Sequence, residues 1–146
     1  MTQPLTYFKE TPSQTAGPYV HIGLTPNFTE IKGIYDEDLG HNLVNDLTEG
    51  ERLTVTGRIF DGMGVPLKDA LVEIWQADPN FTGWGRCPSH MESGVFTFET
   101  IKPGPVPFKD GRLMAPHIAF WIVARGINLG LHTRMYFSDE EAANGD

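Results

Sequence analysis

Apolar and polar residues alternate along several short stretches of the chain after residue 50. Between Leu53 and Ile59 the apolar positions alternate with Thr and Arg, which is the period of a half-buried strand. Further strands are predicted from Ala70 to Gln76 and from Val95 to Ile101, and the turn residues 61–64 close the first hairpin. Residues 118–124 are nearly all apolar, with β-branched and aromatic side chains, and predict a central strand that is covered on both faces.

The two ends of the chain have different patterns. Residues 11–49 show no sustained period and begin with a stretch that contains Pro and Gly, so we predict an extended arm followed by loops. Residues 135–137 predict a short final strand. Ser138 followed by Glu141 fits a capping box, which indicates a short helix that ends by Asn144-Gly145. Glycines and prolines separate the short apolar runs throughout, which is typical of one all-β domain, a sandwich or a barrel.

The composition supports a single folded domain and argues against nucleic acid as a partner. The chain has 146 residues, 40% of them hydrophobic, and a formal net charge of −8, so it can form a core and would repel a phosphate backbone. Nucleic acid is therefore not an expected partner. Cys87 is the only cysteine, which rules out an intrachain disulfide. Neither a secretory signal nor a membrane span is visible, so we expect a cytoplasmic protein without a membrane role.

Histidine is the residue type that most directly suggests a metal. The chain carries His21, His41, His90, His117 and His132. None of them forms a closely spaced His pair, and Cys87-Pro88-Ser89-His90 is a match to metal spacing without a second half. An independent metalloenzyme that uses His21, His117 and His132 is therefore poorly supported, and we expect no metal site built by this chain alone.

Two of the histidines, His117 and His132, can each be interpreted in two ways. His117 enters the apolar run after Pro116 and is either a buried side chain bonded to backbone or a remnant of a ligand position. His132 lies two residues from Arg134, so a strand would place both on one face; ordinary surface exposure fits equally well.

Arg125 is the most promising residue for recognition of an anion. It ends the apolar run and precedes Gly126, so its guanidinium can project from a strand end into a cleft. Such a planar fork binds a carboxylate or catecholate oxygen, or it simply pairs with a nearby Asp or Glu. No nucleophile elbow, phosphate loop or dinucleotide fingerprint is present, and Cys87 is assigned no role.

Several motifs occur together in a specific order. The chain contains Thr11-Pro12-Ser13-Gln14-Thr15-Ala16-Gly17-Pro18-Tyr19, Gly57 to Gly64, Val72-Glu73-Ile74-Trp75-Gln76-Ala77-Asp78, Lys102-Pro103-Gly104 and Ala115-Pro116-His117. Together they resemble the intradiol ring-cleaving dioxygenases along most of the chain. The first motif, with residues 124–128 and 131–134, is similar to the alpha chains of the two-chain members of that family.

The resemblance implies an antiparallel β-sandwich of the intradiol dioxygenase type and an Fe(III) centre held by two Tyr and two His. This chain departs from that ligand set. Val106 follows Lys-Pro-Gly where a ligand Tyr is expected, and Ala119 replaces the second His after His117. No Tyr follows Ala77, where the family also carries an additional segment. Family chains continue past the predicted helix, so we expect one domain over residues 1–146, with arm and loops in 1–49 and a C-terminally incomplete sandwich in 50–146.

The resemblance also implies a function. It indicates a metal-free alpha subunit, with no catalytic residue of its own, in a hetero-oligomer whose beta chain binds the iron. The assembled enzyme is expected to cleave 3,4-dihydroxybenzoate with O2 to 3-carboxy-cis,cis-muconate, a step of aromatic catabolism in the beta-ketoadipate pathway. Thr15, Gly17, Pro18, Tyr19 and Arg125 are implied as substrate-binding residues of the cleft. The alternative is a non-catalytic β-sandwich module for binding or assembly.

Overall fold

The computed structural model describes residues 9–78 and 81–145, and β-strands dominate it. A 3-10 turn at Gly17–Tyr19 leads into helix α1, Val20–Leu24. Eight strands follow in the described residues, and α2 closes the chain. The strands are β1 Arg52–Arg58, β2 Leu71–Asp78, β3 Phe81–Pro88, β4 Val95–Ile101, β5 Val106–Pro107, β6 Leu113–Met114, β7 His117–Val123 and β8 Leu131–Tyr136, and α2 is Glu141–Asn144.

The strands form two main antiparallel layers. β1 pairs with β4, and the larger sheet has the order β3-β2-β7-β8. A small hairpin of β5 and β6 lies apart from both. The predicted strands at residues 53–59, 70–76, 95–101 and 118–124 are therefore confirmed, and β7 is central as expected.

The core lies between the two layers. The inward side chains of β1 and β4 meet those of β2 and β7, and the buried cluster is Val55, Val72, Ile74, Phe96, Phe98, Ile118 and Phe120. The rings of Phe96 and Phe120 contact across the interface with centroids 6.0 Å apart. Burial of large apolar side chains from both sheets is the main source of stability in such a sandwich. The expected all-β sandwich is confirmed.

Strand β3 was not predicted from the sequence. Its glycines resemble turn punctuation, but pairing with β2 overrides that local preference. Glu73 lies opposite Arg86 in the register, and their side chains form a largely buried ion pair with an Nη2–Oε1 distance of 2.7 Å. Leu43 of the covering loop packs on Gly85 so closely that a Cβ there would force the Leu43 side chain to move. Strand β3 therefore depends on contacts with distant parts of the chain.

Two local predictions need correction. The arm predicted across residues 11–49 is interrupted by the helical segment 17–24, because His21 is buried against the sandwich. The final strand is longer than residues 135–137, since β8 pairs with β7 from residue 131 onward. The two-part division of the domain at residue 49 stays a prediction.

The predicted capping box at Ser138 is also wrong. Helix α2 begins at Glu141 after Glu140, and no side chain caps it. Asp139 and Glu140, which precede the helix, pair instead with Lys102 at 2.8 and 2.7 Å. Its end at Asn144 is confirmed. Within the described ranges, no helix has the length and apolar character needed to cross a membrane.

Candidate functional site

Arg125 and Asp69 lie opposite each other at one end of the larger sheet. Leu71 pairs with Val123 in the antiparallel register of β2 and β7, so two more residues outward on each side lead to Asp69 and Arg125. The Arg125 Nε atom lies 2.7 Å from Asp69 Oδ2. The alternative in which Arg125 pairs with an acidic residue is thus confirmed, although that partner is distant in sequence.

The two members of this ion pair differ in exposure. The Asp69 side chain is 6% exposed, whereas that of Arg125 is 64% exposed. The inner edge of the guanidinium is therefore fixed on a buried carboxylate while its outer part faces solvent. A guanidinium carries five N–H donors, so the exposed part retains donors for an anion.

The N-terminal segment packs beside Arg125. Thr15 Oγ1 donates to the carbonyl oxygen of Ala124 at 3.4 Å and accepts from the Gly17 amide at 3.2 Å. Gly17 is buried and has φ +58°, a conformation that glycine adopts without strain. Its missing Cβ would lie 3.9 Å from Arg125 Cγ. Thr15, Gly17 and Arg125, which the sequence predicted as neighbours in a cleft, are brought together.

Pro18 and Tyr19 extend from the same segment into solvent. Pro18 is the second residue of the 3-10 turn, where its fixed φ suits the first helical positions. The Tyr19 residue is 75% exposed. These two residues lie next to Gly17 but enclose nothing by themselves. Their predicted place in a substrate-binding cleft stays a prediction.

Helix α1 anchors the backbone under Asp69. His21 is fully buried, and its Nε2 lies 2.9 Å from the carbonyl oxygen of Asp69. Because a carbonyl oxygen only accepts hydrogen bonds, Nε2 carries the proton. The other ring nitrogen, Nδ1, lies 2.8 Å from Thr25 Oγ1. Both nitrogens of His21 are occupied by protein groups, so His21 is a structural residue here.

The positions where the resemblance expects iron ligands do not supply a suitable donor set. Val106 and Ala119 are half-buried hydrocarbon side chains on β5 and β7. His117 is half-buried and its Nδ1 lies 2.8 Å from the Ala115 carbonyl oxygen. At the position after Ala77, residues 79–80 lie outside the described residues, and Phe81 has no phenol oxygen. One imidazole with hydrocarbon neighbours does not fit Fe(III), which needs several N or O ligands.

The remaining histidines do not complete a metal site. His132 and Arg134 are both exposed on one face of β8, as the strand period predicts. His117 instead packs against Tyr136 with ring centroids 5.7 Å apart. In the part of the chain that the structure describes, no three His, Cys, Asp or Glu side chains are grouped to hold a metal.

Asp69, His21 and Thr25 are site residues that sequence reasoning missed. His21 was considered only as a metal ligand, and Asp69 was not singled out. A signal was available, because Asp69 directly precedes one predicted strand and Arg125 directly follows another. Antiparallel pairing of these two strands would have placed the opposite charges together.

Comparisons with known proteins agree with this fold. The Dioxygenase_C family model, described as a dioxygenase, matches residues 24–146. The chain is 41% identical to a protocatechuate 3,4-dioxygenase alpha chain of Pseudomonas putida, over 97% of this chain and 76% of that protein. It is 33% identical to the alpha chain of Burkholderia cepacia, over 96% and 76%. It is also 38% identical to the beta chain of Burkholderia cepacia, over 72% of this chain and 53% of that one.

Solved structures show the same likeness. The dioxygenase domain of a dioxygenase and carbohydrate-binding fusion from Streptomyces sp. SirexAA-E superposes with a TM-score of 0.60 at 32% identity, covering 73% of this chain and 69% of that one. The 3-chlorocatechol 1,2-dioxygenase of Rhodococcus opacus 1CP gives 0.61 at 25% identity, covering 75% of this chain. This chain spans about half, 53%, of the length of the latter.

Proposed function

The chain belongs to the intradiol ring-cleavage dioxygenase family, and on this premise we propose that it is the metal-free alpha subunit of a protocatechuate 3,4-dioxygenase. The assembled enzyme cleaves 3,4-dihydroxybenzoate with O2 between the two hydroxyl-bearing carbons. Both oxygen atoms enter the product, 3-carboxy-cis,cis-muconate. The similarity to alpha chains over 97% and 96% of this chain supports the assignment.

Iron chemistry in this enzyme is assigned to a partner. The family resemblance implies an Fe(III) centre, and the residues of this chain at its ligand positions, Val106, His117 and Ala119, do not fit that ion. We assign the iron to a beta chain of the same kind as the Burkholderia cepacia beta chain, to which this chain is also similar. The expected partners are therefore that beta chain, the catechol substrate and O2, in a hetero-oligomer that we place in the cytoplasm.

The observation that best supports the proposal is the exposure of the site residues to solvent. Arg125 is fixed at its inner edge yet 64% exposed, and Tyr19 beside it is 75% exposed. Neither can enclose a small aromatic ring without a second surface. A site that has recognition groups but lacks walls and metal ligands is what one half of a shared active site would present.

This chain's residues contribute recognition rather than the redox step. Arg125 offers charge-assisted hydrogen bonds to an oxygen anion of the substrate. Gly17, without a side chain, lets the backbone approach a flat ring, and Pro18 stiffens that wall. Contact with the partner excludes water and strengthens each of these interactions.

Coexpression with a candidate beta chain tests the proposal. We expect the two chains to copurify, with iron and 3,4-dihydroxybenzoate-dependent oxygen uptake in the complex. The purified chain alone is expected to hold almost no iron and to consume no oxygen. Ring cleavage by the isolated chain would refute the metal-free assignment.

A matched pair of arginine variants tests the role of the site. Arg125→Ala in the complex is expected to raise the KM for 3,4-dihydroxybenzoate by about tenfold or more, since a charge-assisted hydrogen bond contributes about 1.5–3 kcal/mol. Arg58→Ala removes an exposed arginine of β1 whose Nε donates to the Ser93 carbonyl oxygen, and it is the control. The alternative, a non-catalytic binding or assembly module, predicts no iron-bearing partner and no effect of either variant.

A further inference from the structure

Asp69 is a buried acid whose side chain contacts the one exposed cation of the candidate site. The Asp69 carboxylate is 6% exposed and accepts from Arg125 Nε at 2.7 Å. In the part of the chain that the structure describes, this is the polar contact that Arg125 makes through its guanidinium. Because the contact uses Nε, the two terminal amino groups of Arg125 are left for another acceptor.

The backbone of Asp69 is itself fixed from two sides. Its carbonyl oxygen accepts from His21 Nε2 at 2.9 Å, and His21 is fully buried. The next carbonyl oxygen, that of Ala70, accepts from the Ser89 amide at 2.7 Å. The Asp69 backbone is therefore held independently of Arg125, and its buried carboxylate offers the guanidinium an anchored partner.

Two opposing effects of Asp69 on a bound anion must be compared. Its negative charge partly compensates the charge of Arg125 and weakens attraction to an anion. Its hydrogen bond removes rotamer freedom from a long side chain before the ligand arrives, which lowers the entropy cost of binding. With Arg125 64% exposed, solvent screens the charge effect, so the ordering effect dominates.

We infer that Asp69 is a positioning residue that holds the Arg125 guanidinium with its terminal amino groups directed toward the carboxylate of the substrate. This inference rests on the proposed function and deepens it, because it identifies the substrate group that Arg125 recognises. Asp69 acts through its contact with Arg125 rather than as a catalytic residue. Its effect is therefore confined to substrates that carry a carboxylate.

The test uses the complex of this chain with its beta chain and two substrates, 3,4-dihydroxybenzoate and catechol, which lacks the carboxylate. Asp69→Ala is expected to raise the KM for the acid by about tenfold, the equivalent of ordering one long side chain, with little change in kcat and in the KM for catechol. Asp69→Asn keeps an acceptor for Nε and is expected to restore most of the affinity. In an Arg125→Ala background, Asp69→Ala should add nothing.

Other results would overturn the inference. Equal increases in KM for both substrates would indicate general damage to the site, and additive effects of Asp69→Ala and Arg125→Ala would show that the two residues act independently. Thermal unfolding of every variant identifies a loss of folding. If Arg125→Ala alone leaves the KM for the acid unchanged, or the wild-type complex consumes no oxygen, the proposed function itself fails and this inference fails with it.

Discussion

Gln76 and Thr100 join the two layers of the sandwich through a buried hydrogen bond. Thr100 Oγ1 donates to Gln76 Oε1 at 2.8 Å, and Gln76 Nε2 donates to the carbonyl oxygen of Ile101 at 2.8 Å. Gln76 lies on β2 of the larger sheet, and its partners lie on β4 of the smaller one. One amide therefore fixes how the two sheets align.

Replacement of this amide should destabilise the fold. Gln76→Ala leaves the buried Thr100 hydroxyl and the Ile101 carbonyl without their partner, and each unsatisfied buried group costs about 1–3 kcal/mol. We expect the free energy of unfolding to fall by about 2–5 kcal/mol, measured by urea denaturation. Thr54→Ala removes an exposed hydrogen bond to Glu99 and should change it by less than about 0.5 kcal/mol. Equal effects of the two variants would contradict this role of Gln76.

Gly17 provides a test of the wall beside Arg125. An alanine at φ +58° is strained, at a cost of about 1–2 kcal/mol, although its Cβ would make only ordinary contact with Arg125. Gly17→Ala should therefore displace the backbone and raise the KM of the complex for 3,4-dihydroxybenzoate several-fold. Gly23→Ala is the control, because Gly23 lies in α1 with open space around it; it should stabilise the helix slightly. A normal KM for the Gly17 variant would show that this backbone does not shape the site.

The Lys102 ion pairs predict a specific dependence of stability on pH. Lys102 lowers the pKa of the Asp139 carboxyl, and the hydrogen bonds that Lys102 donates to Asp139 and Glu140 raise the pKa of Lys102 above its usual range. The lowered pKa of Asp139 stabilises the fold fully when the pH is above 3.8, the ordinary pKa of the carboxyl. This stabilisation is lost as the pH falls through the lower pKa of the folded state. The raised pKa of Lys102 stabilises the fold fully when the pH is below 10.5, the ordinary pKa of lysine. This stabilisation is lost as the pH rises further, through the pKa of the folded state.

Lys102→Met should consequently lower the Tm by a few degrees at neutral pH. The difference from the wild type should shrink below about pH 4, where carboxylates become protonated, and in high salt. Lys109→Met, which removes an exposed lysine elsewhere, is the control. A Tm difference that is unchanged at pH 3 would mean that Lys102 acts through the contact of its ammonium with the Phe137 ring, 5.5 Å from the ring centroid, rather than through the ion pairs with Asp139 and Glu140.

Cys87 should react slowly with alkylating reagents. Burial raises the pKa of this thiol, with partial compensation by a hydrogen bond to the Thr97 backbone, so little reactive thiolate exists at pH 8. We expect iodoacetamide to label it more slowly than a small free thiol, with a rate that still rises above pH 9. Denaturant should restore the ordinary rate, and Cys87→Ser should show no labelling. A rate that reaches its plateau at or below pH 8 would contradict the assigned direction.

Much of the fold could be predicted from periodicity, whereas most of the site could not. The alternation in β1 and the apolar run of β7 are local signals, and both predicted strands are present. Strand β3 and helix α1 depend on distant partners: Arg86 needs Glu73, and His21 needs the backbone of Asp69. Asp69 was missed for the same reason, because its role appears only when β2 and β7 are paired. Motif resemblance identified Arg125 but could not show what holds it.

The hydrogen bond from Thr15 to Ala124 spans 109 positions of the chain, and this separation has consequences for folding and turnover. Contacts between such distant residues form late, after the loop between them has been closed. The buried core cluster does not include residues 9–16, so we expect cleavage of that exposed segment by a protease to leave the domain folded but to remove the Thr15 hydrogen bonds to Ala124 and Gly17. Gly17 and Arg125 would then lose the contact that holds them side by side, so we expect proteolysis of this segment to weaken substrate binding before it unfolds the domain.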